Sequence, residues 1–582
     1  MKTIKLELSD WLYNAGIVGI ANILNSAGIE PRTNNNFLEF DISVLENFHE
    51  YYFQYFEKRY INYFSYNFII TKGQNFVEAK DWTEETLDQW NKYIETTKKT
   101  IKSNSYKAAY QMIPNKEVDV INLEKELKKI NLRKKQSIED IQEDIQEAKE
   151  KIKVLLNYFK HPDVKKYIVA KNAAYSVINN FWNGVSFLHK SSTTKDIFIE
   201  YKNYFIDPVL LYYEEDHSKD KYTCLVSNQP IKKLSKPHAF DLAFMNKMGV
   251  DMSRKTSHFW NLNSSFCYIS PLTNFVYSCV PAGFTVISEQ GYFVNCNSNI
   301  KYLIAINNNN ENWVIKSDES IQLLESRTYF QLIDFMEKQK ASHVSKEVDN
   351  IQIIKYSNKN DSKVDSLRPY TFNILSKDKL AVIQEYFDSL NKMLNKFVKL
   401  NDDSYINIFQ SVLERLYKNK NQFDLIAALL RVNLPKRPDE KIKGYSYIKE
   451  ILYFNNHFLW TIKKYKEDDS MSGYSSYVKK ETINEIEQAG RKLALSYMQR
   501  NAANKLSGIT YRLLNALKTK DTGKFMDTFI NAHMYGGKDG GLHVPIQIID
   551  VLQDEDKLQT LGYAFILGLR SGLLPKEEKE EK

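Results

Sequence analysis

Cys224-Leu225-Val226-Ser227 and Ser270-Pro271-Leu272-Thr273 come nearest, in residue type and spacing, to a chemical site. With cysteine at positions 227, 270 and 273 the two pieces would read CxxC…CxxC. Each such knuckle offers two sulfurs to one face of a zinc tetrahedron. As written, only Cys224 can supply a thiolate. Ser227, Ser270 and Thr273 carry neutral hydroxyls, which are poor zinc ligands, so no metal is expected. The stretch between the two pieces is long for a simple zinc finger and must fold back on itself. On spacing alone, four unrelated polar residues in loops is the plainer reading. Other chemistry is thin. The chain has no GxxxxGK[ST], no HExxH and no GxSxG, and its ten histidines are scattered; His238 and Asp241 are close in sequence, but one pair in a basic loop is weak evidence.

The elements that must position these residues follow from periodicity. Residues 1–8 alternate enough for a short strand, and Ser9 or Asp10 can cap a helix from Trp11. Leu12, Ala15, Gly16, Gly19, Ile20, Ile23 and Leu24 share one face of it. The two glycines there allow a close backbone approach, most simply as tight core packing. Residues 31–36 read as a loop, 37–42 as a strand, and 44–64 as a long aromatic-rich helix. Ile138, Ile141, Ile145, Ala148, Ile152 and Leu155 keep a heptad seam, and Leu123, Leu127 and Ile130 a shorter one. Together they predict an antiparallel helical hairpin projecting from the body: a structural arm, or else a surface for a neighbouring subunit or nucleic acid. Residues 167–184 predict a helix and 198–213 a strand-like stretch. Residues 303–306 and 313–315 predict a strand–turn–strand hairpin. From Lys377 the pattern is helical, over 380–400, 405–418, 423–432 and 448–465. A polar stretch at 468–473 marks a boundary, and 471–570 read as a bundle with breaks near Asn501, Gly523, 536–541 and Pro545.

The expected fold class is therefore α+β and multi-domain: a mixed N-terminal body with a projecting hairpin, and a C-terminal helical bundle. The expected divisions are 1–117, 118–160, 161–376, 377–470 and 471–582. At 582 residues the chain is long enough for several cores, and 43% hydrophobic with 26% charged residues is a globular balance. No apolar run reaches the ~20 residues that span a bilayer, and the N-terminus lacks the apolar core of a signal peptide. Four cysteines, at 224, 267, 279 and 296, give no disulfide framework. The reading is cytoplasmic, with no membrane partner and no cofactor.

Net charge is +8, from 80 basic against 72 acidic residues. That bias is too mild to establish a nucleic-acid partner by itself, but the basic residues cluster. Lys98, Lys99, Lys102 and Lys107 surround Ser103-Asn104-Ser105, a phosphate-contact loop or, as is commoner, a solvated charge run. Lys232, Lys233 and Lys236, with Lys247, Arg254 and Lys255, form the densest basic segment near the four-residue cluster. Between residues 478 and 525 ten basic residues, among them Arg491, Lys492, Arg500, Lys505 and Arg512, stand against four acidic ones. Such a face suits sequence-independent contact with phosphates. Asn34, Asn35 and Asn36 are either a turn or side chains able to meet base edges.

Three stretches taken together resemble a known family. KLELSDWLYNAGIVGIANIL from Lys5, the Cys224 knuckle, and SPLTNFVYSCVPAGF from Ser270 are similar to the CXXC-CXXC family. That family forms the large subunit of type I-B CRISPR interference (Cascade) complexes. The resemblance covers the first twenty or so residues and the central stretch; elsewhere it extends to length and order of elements. The loss of three cysteines argues against the family's metal but not its fold, since hydrogen bonds and packing can replace a structural ion. The resemblance implies a non-catalytic subunit near the 5′ handle of a guide RNA. It would recognise the protospacer-adjacent motif in target DNA, help part the strands, and hold a surface for the nuclease–helicase. Its other partners would be the backbone, handle-binding and small subunits. Base pairing carries most sequence discrimination in such complexes. On this view Lys102, Lys107, Lys232, Lys233, Lys236, Arg254, Lys255, Arg491, Lys492, Arg500, Lys505 and Arg512 are nucleic-acid-binding candidates. Asn34, Asn35 and Asn36 are candidates for the motif region. The family also implies a C-terminal bundle that can be made separately as a small subunit from an internal start, for which Met471 is the candidate. A reading of another class is a stand-alone metal-independent nuclease or RNA-processing enzyme, whose isolated chain would cleave and lose cleavage on one His or Asp change.

Overall fold

Asp10 fixes the start of the helix around which the N-terminal half is assembled. Its carboxylate accepts hydrogen bonds from the backbone N of Leu12 (2.8 Å) and Tyr13 (3.1 Å), satisfying N–H groups that a helix start leaves unpaired. The helix, Trp11–Ser26, is buried on all sides. A strand Thr3–Glu7 precedes it and pairs antiparallel with Phe37–Asp41, and Arg32–Thr33 adds a short third strand. The two-residue alternation puts Ile4, Leu6, Leu38 and Phe40 into the core.

The computed structural model describes residues 2–133, 136–245, 268–287, 290–297, 299–308, 351–357, 370–394, 396–401, 404–434, 445–463, 477–536 and 543–571. They form two compact units, one of residues up to 308 with 351–372, the other from 373 onward. The class is α+β. No described helix is long and apolar enough to cross a membrane.

In the N-terminal unit the glycine face of Trp11–Ser26 meets two short helices, Pro271–Ser278 and Val280–Gly283. A Cβ added at Gly19 would lie 2.0 Å from the Cys279 carbonyl oxygen, one at Gly16 2.4 Å from that of Val276, and one at Gly283 2.0 Å from that of Ala15. Backbone rests on backbone, so the N-terminal and central stretches that carry the family resemblance pack against each other. The helix Phe48–Tyr60 braces the same place. Tyr52, Tyr55 and Tyr60 donate their hydroxyls to the carbonyls of Ser278 (2.9 Å), Ala282 (3.1 Å) and Phe284 (3.3 Å). Buried carbonyls left over at short helix ends are paired in this way. Beyond Gly283 the chain enters a four-stranded sheet, ordered Tyr370–Leu375, Ile351–Ser357, Gln290–Asn295, Thr285–Ile287.

Three expectations for this unit change. Residues 198–213 are helical, as Ile197–Tyr201, a π-helical turn Lys202–Ile206, and Asp207–Glu214. A short apolar run cannot separate buried strand from buried helix; Asp196 decides, capping the N of Phe198 (2.9 Å) and Ile199 (3.2 Å). Residues 303–306 lie in the helix Ile300–Asn308, whose start Asn299 supports by accepting from Lys301 N at 2.8 Å; residues 313–315 lie outside the described residues. Residues 118–160 lie on the body instead of projecting. Helix Gln142–Lys160 packs on Ser65–Glu78, where Gly73 leaves room for Leu156. The carbonyls of Leu127 and Ile130 accept from Lys98 Nζ and Asn91 Nδ2, both at 2.7 Å, on Glu84–Ile101. A heptad seam specifies that a partner face exists, not whose it is.

The second unit is mainly helical. Lys377–Glu385 and Phe387–Met393 replace the single helix expected over 380–400. A hairpin of Phe397–Asn401 with Ser404–Asn407 follows, built on β-favouring Phe397, Val398, Tyr405 and Ile406. Then come Ile408–Tyr417, Phe423–Val432, Tyr445–Lys463, Lys480–Gln499, Asn504–Lys518, Thr522–Gly536, Ile546–Ile549 and Glu555–Ser571. The last is buried at every residue from Leu558 to Ser571. It crosses Lys480–Gln499 through another glycine contact: a Cβ at Gly568 would lie 1.8 Å from Glu487 O, and one at Gly490 2.2 Å from Phe565 O. Its other sides are covered from before residue 470. Phe423 stacks on Tyr563 (5.7 Å), and Arg570 donates to Asn433 O (2.5 Å). The side-chain amide of Asn456 bonds both N (2.9 Å) and O (2.8 Å) of Val478. The expected boundary at 470/471 therefore cuts one shared core, and the five expected divisions reduce to two units.

Candidate functional site

The four positions read as a broken clamp do converge. Tyr222–Thr223 pairs with Pro230–Ile231, making a hairpin whose loop begins at Cys224. The loop closes through Cys224 N to Gln229 O (2.8 Å), with Asn228 at φ 55°, a conformation asparagine tolerates. Leu225 N donates to Tyr268 O at 3.0 Å and lays this hairpin beside Tyr268–Ile269. Ser270 then caps Pro271–Ser278, accepting from Thr273 N at 3.2 Å, with Pro271 in the first helical turn. The result is a quartet of three hydroxyls and one sulfur. Thr273 Oγ1 lies 3.3 Å from Cys224 Sγ and 3.2 Å from Ser227 Oγ. Ser270 Oγ and Ser227 Oγ both donate to Gln229 Oε1, at 2.7 and 3.2 Å. Cys224, Ser270 and Thr273 are all but fully buried.

Burial alone would raise the Cys224 thiol. Hydrogen bonds from Ser227 and Thr273 and from the backbone N–H groups of Ser227 and Ser270 outweigh it and hold the thiol below its ordinary value. The donor set does not fit zinc: it holds one sulfur, and its other three members are neutral hydroxyls. Among the described residues no group of three or more His, Cys, Asp or Glu could hold a metal ion. The same geometry predicts that Ser227→Cys/Ser270→Cys/Thr273→Cys, combined in one chain, will bind one zinc per molecule. Metal analysis after dialysis checks this; a metal-free triple variant would show that the four positions are not a clamp.

The basic candidates separate into used and available groups. Lys102 pairs with Glu124 at 3.0 Å, alongside Lys98 at 3.2 Å, so it is committed to holding residues 120–126 to the body. Lys107 is exposed. Lys232 pairs with Glu215 (3.2 Å), Lys236 lies 4.5 Å over the Tyr204 ring, and Lys233 is exposed. Arg254 and Lys255 lie outside the described residues. Asn34 spends its side-chain oxygen on the turn, accepting from Asn36 N and Phe37 N at 2.8 Å each; Asn35 and Asn36 are exposed at the tip.

In the second unit a groove of about 890 Å³ runs between Asn504–Lys518 and Thr522–Gly536. Lys505, Arg512 and Lys524 line it with Tyr497, Tyr535 and Asn531. Arg500 donates to Tyr535 O at 2.7 Å and so fixes the groove's rim. Lys505 stands 4.2 Å over the Tyr535 ring, which lies 4.9 Å from that of Tyr497. Arg491 and Lys492 do not line this groove. Gln229, Tyr497 and Tyr535 had no sequence signal as site residues, because tyrosine is abundant throughout the chain.

Two histidine–carboxylate pairs not named from the sequence lie within 3 Å among the described residues: His457 Nδ1 is 2.8 Å from Glu385 Oε2, and His217 faces Asp220. His217 Nδ1 lies 2.6 Å from Asp220 Oδ2, but its Nε2 lies 2.7 Å from Tyr212 O, so both ring nitrogens are occupied. His238 Nδ1 is 3.5 Å from Glu215 and not paired with Asp241. With both nitrogens occupied, His217 offers no free base to a substrate.

Compared with protein-family models, with curated proteins and with solved structures, the chain matches none.

Proposed function

We propose that this chain is a non-catalytic large subunit of a type I-B CRISPR RNA-guided surveillance complex, acting in the cytoplasm. In this reading it binds the guide RNA near its 5′ handle, recognises the protospacer-adjacent motif of target DNA and recruits the nuclease–helicase. The family assignment rests on the three resembling stretches. The nucleic-acid reading is carried by one observation: a groove that pairs exposed Lys505 and Arg512 with the half-buried ring of Tyr535. Positive charge tracks a phosphate backbone and aromatic faces accept bases of any sequence. Lys505→Ala/Arg512→Ala is expected to weaken single-stranded DNA binding about equally across sequences. The slope of log K against log[salt] should become shallower by roughly 1.5, the share of two phosphates. Titrations of the assembled complex at several salt concentrations measure both. Loss confined to one sequence, or an unchanged slope, would remove the groove from the proposal. Co-purification of the tagged chain, with sequencing of the RNA it holds, tests the family reading itself.

A further inference from the structure

A second cleft, of about 730 Å³, opens in the N-terminal unit along the helix Glu84–Ile101. Lys92, Thr96 and Lys99 recur on one side of that helix, and Ser103 and Ser105 follow at the next turn. Opposite them stands Tyr175, near the end of Pro162–Ser176 and 39% exposed. Lys92 and Lys99 are exposed and form no ion pair among the described residues. The carboxylates beside them are already neutralised. Glu95 also lines the cleft, but Lys129 holds it at 2.6 Å and keeps its carboxyl below the ordinary value. Glu124 is shared by Lys98 and Lys102. The walls thus present net positive charge, hydroxyl donors and one exposed aromatic ring. The volume falls within the range of small-molecule sites.

We propose that this cleft binds a nucleotide 5′-phosphate, with Lys92 and Lys99 on the phosphate, Ser103 and Ser105 donating to its oxygens, and Tyr175 against the base. A phosphomonoester is close to a dianion at neutral pH, which two lysines match. The same chemistry is presented by a free mononucleotide and by the 5′ end of a strand. The site shares no residue with the groove in the second unit, so it stands or falls apart from the strand-binding reading.

Calorimetric titration of the intact chain with AMP, adenosine, and RNA octamers carrying a 5′-phosphate or a 5′-hydroxyl tests this. AMP is expected to bind at least about 10-fold tighter than adenosine, as charge-assisted hydrogen bonds require. Lys92→Ala/Lys99→Ala should remove that preference, and Tyr175→Ala should weaken AMP without affecting inorganic phosphate. Lys505→Ala/Arg512→Ala should leave AMP binding unchanged. A phosphorylated octamer that binds tighter than both AMP and its hydroxyl counterpart assigns the site to a strand end; AMP binding equally well or better assigns it to free nucleotide. The proposal is overturned if the 5′-phosphate gives no advantage in either pair. It is equally overturned if the double-lysine variant, folded by circular dichroism, binds AMP as the parent does.

Discussion

Gly19→Ala is expected to lower the thermal midpoint of the N-terminal unit by roughly 10 °C, or to prevent that unit from folding. The added methyl would lie 2.0 Å from the Cys279 carbonyl oxygen and 2.8 Å from its carbon. Neither atom is the tip of a side chain that can swing aside. The helices must part, and Gly283, pressed on Ala15 from the other direction, parts with them. Overpacking a rigid core costs about 1–3 kcal/mol and sometimes more. Separation would also break the hydrogen bonds from Tyr52, Tyr55 and Tyr60, each a further ~1 kcal/mol. Gly508→Ala is the control. It sits within Asn504–Lys518 with nothing inside 4 Å of its added Cβ, and should stabilise by about 0.5–1 kcal/mol through helix propensity. A Gly19→Ala midpoint within about 2 °C of the parent would mean that the close approach does not hold in solution.

The fragment 471–582, produced alone, is expected not to fold. From Leu558 to Ser571 its last helix has no exposed residue, and a helix buried all round needs partners all round. Part of that cover comes from residues missing in the fragment. Tyr563 would lose Phe423, and Arg570 would lose the Asn433 carbonyl. Glu487, buried and paired with Lys449 at 2.7 Å, would lose its counter-charge. Removing one partner of a buried ion pair alone costs about 3–5 kcal/mol, a large share of a small domain's stability. Circular dichroism and hydrogen exchange on 471–582 should show an unfolded or molten chain. A cooperative melt and protected amides in the last helix would restore Met471 as the start of an autonomous subunit.

What the sequence disclosed depended on how local each signal was. The cap at Asp10, the glycine face at Gly16 and Gly19, and the helix Phe423–Val432 were legible because a helix start and a 3.6-residue period are written in adjacent residues. Residues 198–213 were not, since apolar Ile199 and Leu211 stand on the exposed side of the helical stretch and blur its period; the deciding residue, Asp196, lay just outside it. The seam at 138–155 was read correctly as a face but not as to its partner, because Gly73 and Leu156 are far apart in sequence. The same holds for function. Cys224, Ser227, Ser270 and Thr273 could be named together only through the resemblance, since spacing alone favoured unrelated loop residues, and the structure brings them within hydrogen-bonding range. Lys102 and Lys232 read as free charge, yet each had a distant acid, Glu124 and Glu215, that no local pattern reveals. Tyr535 became visible only once the fold put Lys505 above it.

The corner at Cys224 has a consequence for how the chain matures. A knuckle closed by shared hydroxyl protons has no ion to wait for and no second thiol in the quartet to be oxidised against the first. Its assembly is set by the polypeptide alone, so refolding in the presence of EDTA should proceed as it does without it, and metal starvation of the host would leave this part of the molecule intact.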